Sequence, residues 1–115
     1  PALRDLAASH TAADLDTLRA LQRQAEESPD TAALAQALFR YHRGVAFLSG
    51  NTITPLLFNA FMQVNLEFWS GYIRSVGREE SLHTLARFTD LIAAGEGDRA
   101  AQLLDDGLQR FVTTL

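Results

Sequence analysis

Cysteine is absent from the 115 residues, which excludes a disulfide framework, a thiolate zinc site, an iron–sulfur cluster and a cysteine nucleophile. Lysine is absent too, so Arg carries every basic charge. The formal net charge of -4 opposes rather than attracts a phosphate backbone, and direct contact with nucleic acid is not expected of these residues. No apolar run reaches the roughly 18 residues needed to span a bilayer, and the first residues lack the basic-then-apolar order of a signal peptide. The expectation is a cytoplasmic protein without membrane attachment. There is no glycine-rich phosphate loop of the GxGxxG or GxxxxGK kind and no sustained period-2 alternation, which disfavours nucleotide-binding sheets.

What is present reads as helix. Hydrophobic residues make up 47% and charged residues 21% of the chain, the ordinary globular range. The three prolines and seven glycines mostly fall between apolar-periodic segments, where helix boundaries belong. A short first segment spans residues 1–9. Thr11 and Asp14 then form a capping-box pattern with Asp in place of Glu, and Leu15, Leu18, Leu21 and Ala25 recur at helical spacing. Ser28-Pro29 breaks that helix near Glu27, and Asp30 caps a third helix whose stripe is Leu34, Leu38, Tyr41, Val45 and Leu48, ending at Gly50. Thr54 as N-cap and Pro55 as first helical residue predict one long helix to Gly77. A fifth helix closes near Gly95, and Asp98 caps a sixth that carries Leu104, Leu108, Phe111 and Leu115. Short connections force consecutive helices to be antiparallel neighbours. The predicted fold is all-α, an antiparallel bundle of six helices, with seven in an intact domain.

Few residues suggest chemistry. His42 lies on or beside the buried stripe of the third helix, between Leu38 and Val45-Ala46, as either a hydrogen-bonded core histidine or a group facing a cavity. His10 and His83 read as solvated. Asn65 shares a face with Phe61, Phe68, Trp69 and Tyr72, and an amide among aromatics must find partners. It makes either an interhelical hydrogen bond or a ligand-orienting contact. The aromatics concentrate between Phe39 and Tyr72, as core or as a pocket wall. The pairs Glu26-Glu27, Glu79-Glu80 and Asp105-Asp106 diverge by about 100° on a helix and read as solvated faces. No histidine pair at metal-ligand spacing and no serine elbow motif occurs, so an enzyme is not expected.

The run Tyr41-His42-Arg43-Gly44-Val45-Ala46-Phe47-Leu48-Ser49-Gly50-Asn51 resembles the pattern F-H-R-A-L-A-x-A-S-G-N of the FCD domain, the C-terminal effector domain of GntR-type bacterial transcription regulators. Its Arg-Gly-Val-Ala-Phe core is similar to the fatty-acid-responsive FadR subfamily. Leu91-Ile92-Ala93-Ala94-Gly95 followed by Asp98-Arg99-Ala100-Ala101 resembles the family's I-x-A-G-D-x-x-A-A, and Thr11-Ala12-Ala13-Asp14-Leu15 its T-x-x-D-L.

The resemblance implies a ligand-sensing and dimerisation bundle that follows a winged helix-turn-helix DNA reader, itself not among these residues. In many members an Asp, the motif histidine and two later histidines hold a divalent metal beneath a carboxylate effector. Here only His42 matches, because the Asp position is Leu38 and the later positions fall on Leu85 and Gln109. No metal and no cofactor are expected. The implied site is an apolar cavity walled by Leu38, Leu85 and Trp69, with His42, Gln109 and Asn65 as its polar groups, taking a fatty or aromatic acid. The expected partners are that small-molecule effector and a second copy of the chain. The rival expectation is a solidly packed dimerisation module without ligand, distinguished by the lack of a void of about 300 Å³.

Overall fold

The computed structural model describes residues 2–50 and 53–113, and the side chains of all of these except 2–4, 54, 55, 112 and 113. Seven helices follow one another: α1 Ala2–Ser9, α2 Ala12–Glu26, α3 Thr31–Leu48, α4 Ile53–Ala60, α5 Met62–Val76, α6 Arg78–Ala93 and α7 Gly97–Thr113. No strand occurs among the described residues. The fold is the expected all-α bundle, with one helix more than the sequence pattern shows.

Local chemistry sets most of the ends. Thr11 accepts from the Asp14 amide while Asp14 accepts from the Thr11 amide, the reciprocal pair that satisfies two free donors at the start of α2. Asp30 accepts from Ala33 N at 2.8 Å and starts α3. Gly50 follows α3 at φ +86, a left-handed conformation that a β-carbon penalises. At the other end of α2, the Arg78 guanidinium donates to Glu26 O and Ser28 Oγ, bringing a cation to a helix C-terminus.

Three boundaries differ from expectation. The long helix predicted from Pro55 to Gly77 is broken at Phe61, whose φ of -112 and ψ of 32 leave the helical region. The Asn65 side chain donates to Phe61 O at 3.0 Å beside the backbone bond from Asn65 N. A side chain bonding into the ladder is a recognised cause of helix kinks. Thr54 does not cap the helix but lies within it, since α4 already begins at Ile53. Asn51 of the sequence motif and Leu115 of the last stripe lie outside the described residues. Likewise α7 begins at Gly97, which puts Asp98 inside the first turn.

Helix α3 occupies the middle, packing against α2, α5, α4 and α1, while α1 also lies along α7 and α6. Consecutive helices touch from α2 onward, but α1 seals the bundle against its far end rather than extending a simple up-and-down order. The core gathers Leu6, Leu18, Leu34, Tyr41, Leu85 and Ile92, all essentially without solvent exposure. The region from the end of α3 to the start of α5 instead presents apolar groups to solvent, with Phe47, Ile53, Leu56 and Val64 each about two-thirds exposed. Arg43 ties α4 to α3 by donating to Asn59 Oδ1 at 2.8 Å, its guanidinium lying 5.2 Å from the Phe39 ring centroid.

Candidate functional site

The helical register of α3 puts Leu38 and His42 one turn apart on its inner side. Both line a cavity closed by Trp69 and Tyr72 of α5, by Ser81, Thr84, Leu85 and Phe88 of α6, and by four residues of α7. Those four are Leu103, Leu104, Gly107 and Leu108. Among the described residues no charged side chain lines the space. Its volume is about 20 Å³, enough for about one water molecule. Leu38 and Leu85 are buried in the core as well as in this wall, whereas the three α7 leucines are half-buried.

The imidazole of His42 lies flat on the indole of Trp69, with centroids 4.6 Å apart and planes 7° from parallel. Tyr41 and Phe88 meet His42 edge-on at 5.4 and 5.8 Å, and Phe68 and Tyr72 meet Trp69 in the same manner at 5.1 and 5.6 Å. Such edge-to-face pairs add to area burial by matching ring edges to ring faces. Enclosure by these rings penalises the charged imidazole and brings the His42 pKa down to about 4. The ring is therefore neutral at pH 7, with one donor and one acceptor nitrogen.

The hydroxyls of the wall are already engaged. Ser81 donates to Gly77 O at 2.7 Å, and Tyr72 and Thr84 are hydrogen-bonded to each other. Burial raises the Tyr72 pKa, partly offset by that bond. Gly107 leaves room beside the Tyr72 hydroxyl, which lies 3.9 Å from where a β-carbon at Gly107 would sit. One polar group of the lining is buried without a partner. The indole N–H of Trp69 has no hydrogen-bond partner although the residue is only 8% exposed, a desolvation cost of about 1–3 kcal/mol. His42 is half-buried and makes no hydrogen bond to any described residue.

Four of the six residues singled out from sequence, Leu38, His42, Trp69 and Leu85, thus come together around one space. Asn65 and Gln109 do not join them. Asn65 spends its amide on Phe61 O within its own helix rather than across the bundle. Gln109 is exposed, in a surface depression with Gln102, Asp105 and Asp106. One residue of helical rotation separates it from Leu108, which does reach the cavity. His83 is exposed as expected, whereas His10 is half-buried, its Nδ1 3.0 Å from Ala7 O at the end of α1. The wall contributed by Ser81, Thr84 and Gly107 was not foreseen, because small polar residues and glycine carry no apolar periodicity. The stripe through Leu104 and Leu108 was the available signal for α7.

The donor set does not suit a divalent cation. Among the described residues no three His, Cys, Asp or Glu side chains come together, and beside His42 the cavity offers only neutral hydroxyls, weak ligands without a carboxylate or second imidazole. Nor does any nucleophile–base pair stand in the space. No described helix is long and apolar enough to cross a membrane.

Comparison with known proteins adds one positive finding. The family model of the FCD domain matches residues 1–110. Neither a curated protein nor a solved structure gives a match.

Proposed function

The chain belongs to the FCD domain family, the C-terminal effector-binding domain found in GntR-family regulators, and on that premise we propose that it senses a fatty or aromatic acid without a metal. The signal passes to a winged helix-turn-helix domain in the same cytoplasmic regulator, whose DNA binding it governs. The observation that carries this reading is the uncharged, largely apolar slot floored by the His42–Trp69 stack. A mostly apolar wall with a few convergent polar groups is the usual make-up of a small-molecule site.

At about 20 Å³ the space falls far short of the void of about 300 Å³ that distinguishes sensing from packing, so the proposal requires a ligand to displace the half-buried leucines of α7 on entry. That requirement suits a switch. An effector moves the attached DNA readers only if it binds one arrangement better than another, and a coupling of about 1–3 kcal/mol suffices. Displacement of α7, which also packs on α1 and α6, gives binding a route to the rest of the bundle.

The small volume also favours a second reading, in which the packed bundle only holds two regulator subunits together, with the apolar surface from Phe47 to Val64 against a second copy of the chain. A thermal-shift screen of fatty, aromatic and sugar acids on the full chain separates the two. Saturable stabilisation by a fatty or aromatic acid supports sensing. A flat response to all of them, in a chain that is dimeric in solution, supports the packed module.

A further inference from the structure

We infer that the polar end of the effector is uncharged when bound and carries one hydrogen-bond acceptor and one donor, its acceptor oxygen taking the Trp69 indole N–H and its donor serving a ring nitrogen of His42. A protonated carboxylic acid and a carboxamide share this chemistry. The inference rests on the sensing role proposed above and specifies what the site reads.

Two independent observations meet here. The first is that the Trp69 indole N–H is a buried lining donor without any partner, whereas Ser81 donates to Gly77 O and Tyr72 and Thr84 share one bond, which leaves one of those two hydroxyl protons unspent. The Trp69 and His42 rings are stacked within 7° of parallel, centroids 4.6 Å apart, so a head group that serves both must span the stack. The indole only donates, and a neutral imidazole accepts at one nitrogen. A carboxyl group that keeps its proton, or a primary amide, offers the complementary acceptor and donor. A carboxylate offers acceptors alone and leaves the imidazole acceptor unserved.

The second observation is the electrostatics of the wall. From α3 the groups around the stack are Leu38 and Tyr41, from α5 Phe68 and Tyr72, from α6 Ser81, Thr84, Leu85 and Phe88, and from α7 leucines and Gly107. The titratable ones are the two tyrosines, both with pKa values raised by burial, and both neutral at pH 6–8. The ion pair of Arg110 and Glu80, 3.6 Å apart, acts on Tyr72 in opposite senses, and among the described residues no charged side chain lines the space. A carboxylate would enter without a counter-charge, and a buried unpaired charge is strongly disfavoured. Burial holds His42 neutral across the same range, so the acid must bring its own proton.

Binding of octanoic acid and octanamide, and of benzoic acid and benzamide, to the full chain between pH 6 and 8 tests this. Trp69 is the single tryptophan, so its emission reports the site directly. Amide affinity should stay flat with pH, while acid affinity falls about tenfold per unit because only the protonated fraction binds. In Trp69→Phe, which keeps an aromatic ring but removes the N–H, calorimetry should find amide affinity reduced about five- to tenfold. Acids that bind equally at pH 6 and 8 while the amides fail would overturn the inference and leave the sensing role intact. Amide binding unchanged in Trp69→Phe would overturn the part given to the indole. Failure of acids and amides alike at every pH would remove the sensing role itself.

Discussion

The Tyr41 hydroxyl of α3 and the Thr89 hydroxyl of α6 lie 2.8 Å apart in the core, and both residues are wholly buried. Thr89 also donates to Leu85 O at 3.3 Å, which leaves its oxygen free to accept and makes Tyr41 the donor. Burial pushes the Tyr41 pKa up to about 12. The bond joins the helix carrying His42 to the helix carrying Leu85, so it fixes two walls of the cavity relative to each other.

The two partners should respond unequally to mutation. Tyr41→Phe removes the donor but leaves Thr89 bonded to Leu85 O, and should cost about 1 kcal/mol in urea unfolding. Thr89→Val keeps the shape yet strands the phenol hydroxyl in the core, at about 1–3 kcal/mol. Equal losses, or a larger one in Tyr41→Phe, would contradict the assigned donor direction.

His42 should make the fold sensitive to mild acid. Its folded pKa of about 4 lies below the ordinary 6.5, so the unfolded chain binds the proton more readily. The neutral ring's full contribution is present above pH 6.5 and is lost as pH falls toward 4, by at most about 3 kcal/mol. Unfolding curves of the parent and His42→Phe from pH 7.5 to 4.5 isolate this contribution from that of the carboxylates. The parent should lose more stability than the variant over that interval. Parallel pH profiles would show that the ring is not held neutral.

Removing the α3 cap tests a feature readable from sequence. Asp30→Ala frees the Ala33 amide and should cost about 1 kcal/mol in chemical denaturation. Both Asp30 and the Thr11–Asp14 box were legible because their chemistry is local: side chain and amide are three residues apart. The break at Phe61 was not, since neither Gly nor Pro marks it and an amide one turn later makes it. The site divides along the same line. Leu38, His42, Trp69 and Leu85 lie on or beside apolar stripes and could be read as inward-facing. The step from Leu108 to Gln109 depends on helical rotation to within one residue, and inward hydroxyls such as Thr84 resemble surface residues in sequence.

Asn65 and Gln109 should therefore be dispensable for ligand response. Asn65→Ala gives up one exposed local hydrogen bond and gains up to about 0.7 kcal/mol of helix propensity, and Gln109→Ala alters only the outer face of α7. Octanamide affinity in both variants should match the parent. A tenfold loss in either would return that residue to the binding site and require α5 or α7 to rotate on binding.

Leu104 tests whether the small volume of the space is what limits access. It is half-buried against the core and lines the cavity from α7, so Leu104→Ala should cost about 2 kcal/mol, less than a fully buried leucine. The vacated methyl groups join the existing space of about 20 Å³, and apolar cavities enlarged in this way can hold benzene-sized molecules. If a ligand normally has to push this leucine aside, the variant is less stable alone yet binds octanamide more tightly, because displacement no longer opposes entry. Calorimetry on parent and variant should show the affinities diverging while the melting temperatures shift in the opposite sense. A variant that only loses stability, with no gain in binding, points to an interior that works as packing, and the dimerisation reading then accounts for the bundle better than sensing does.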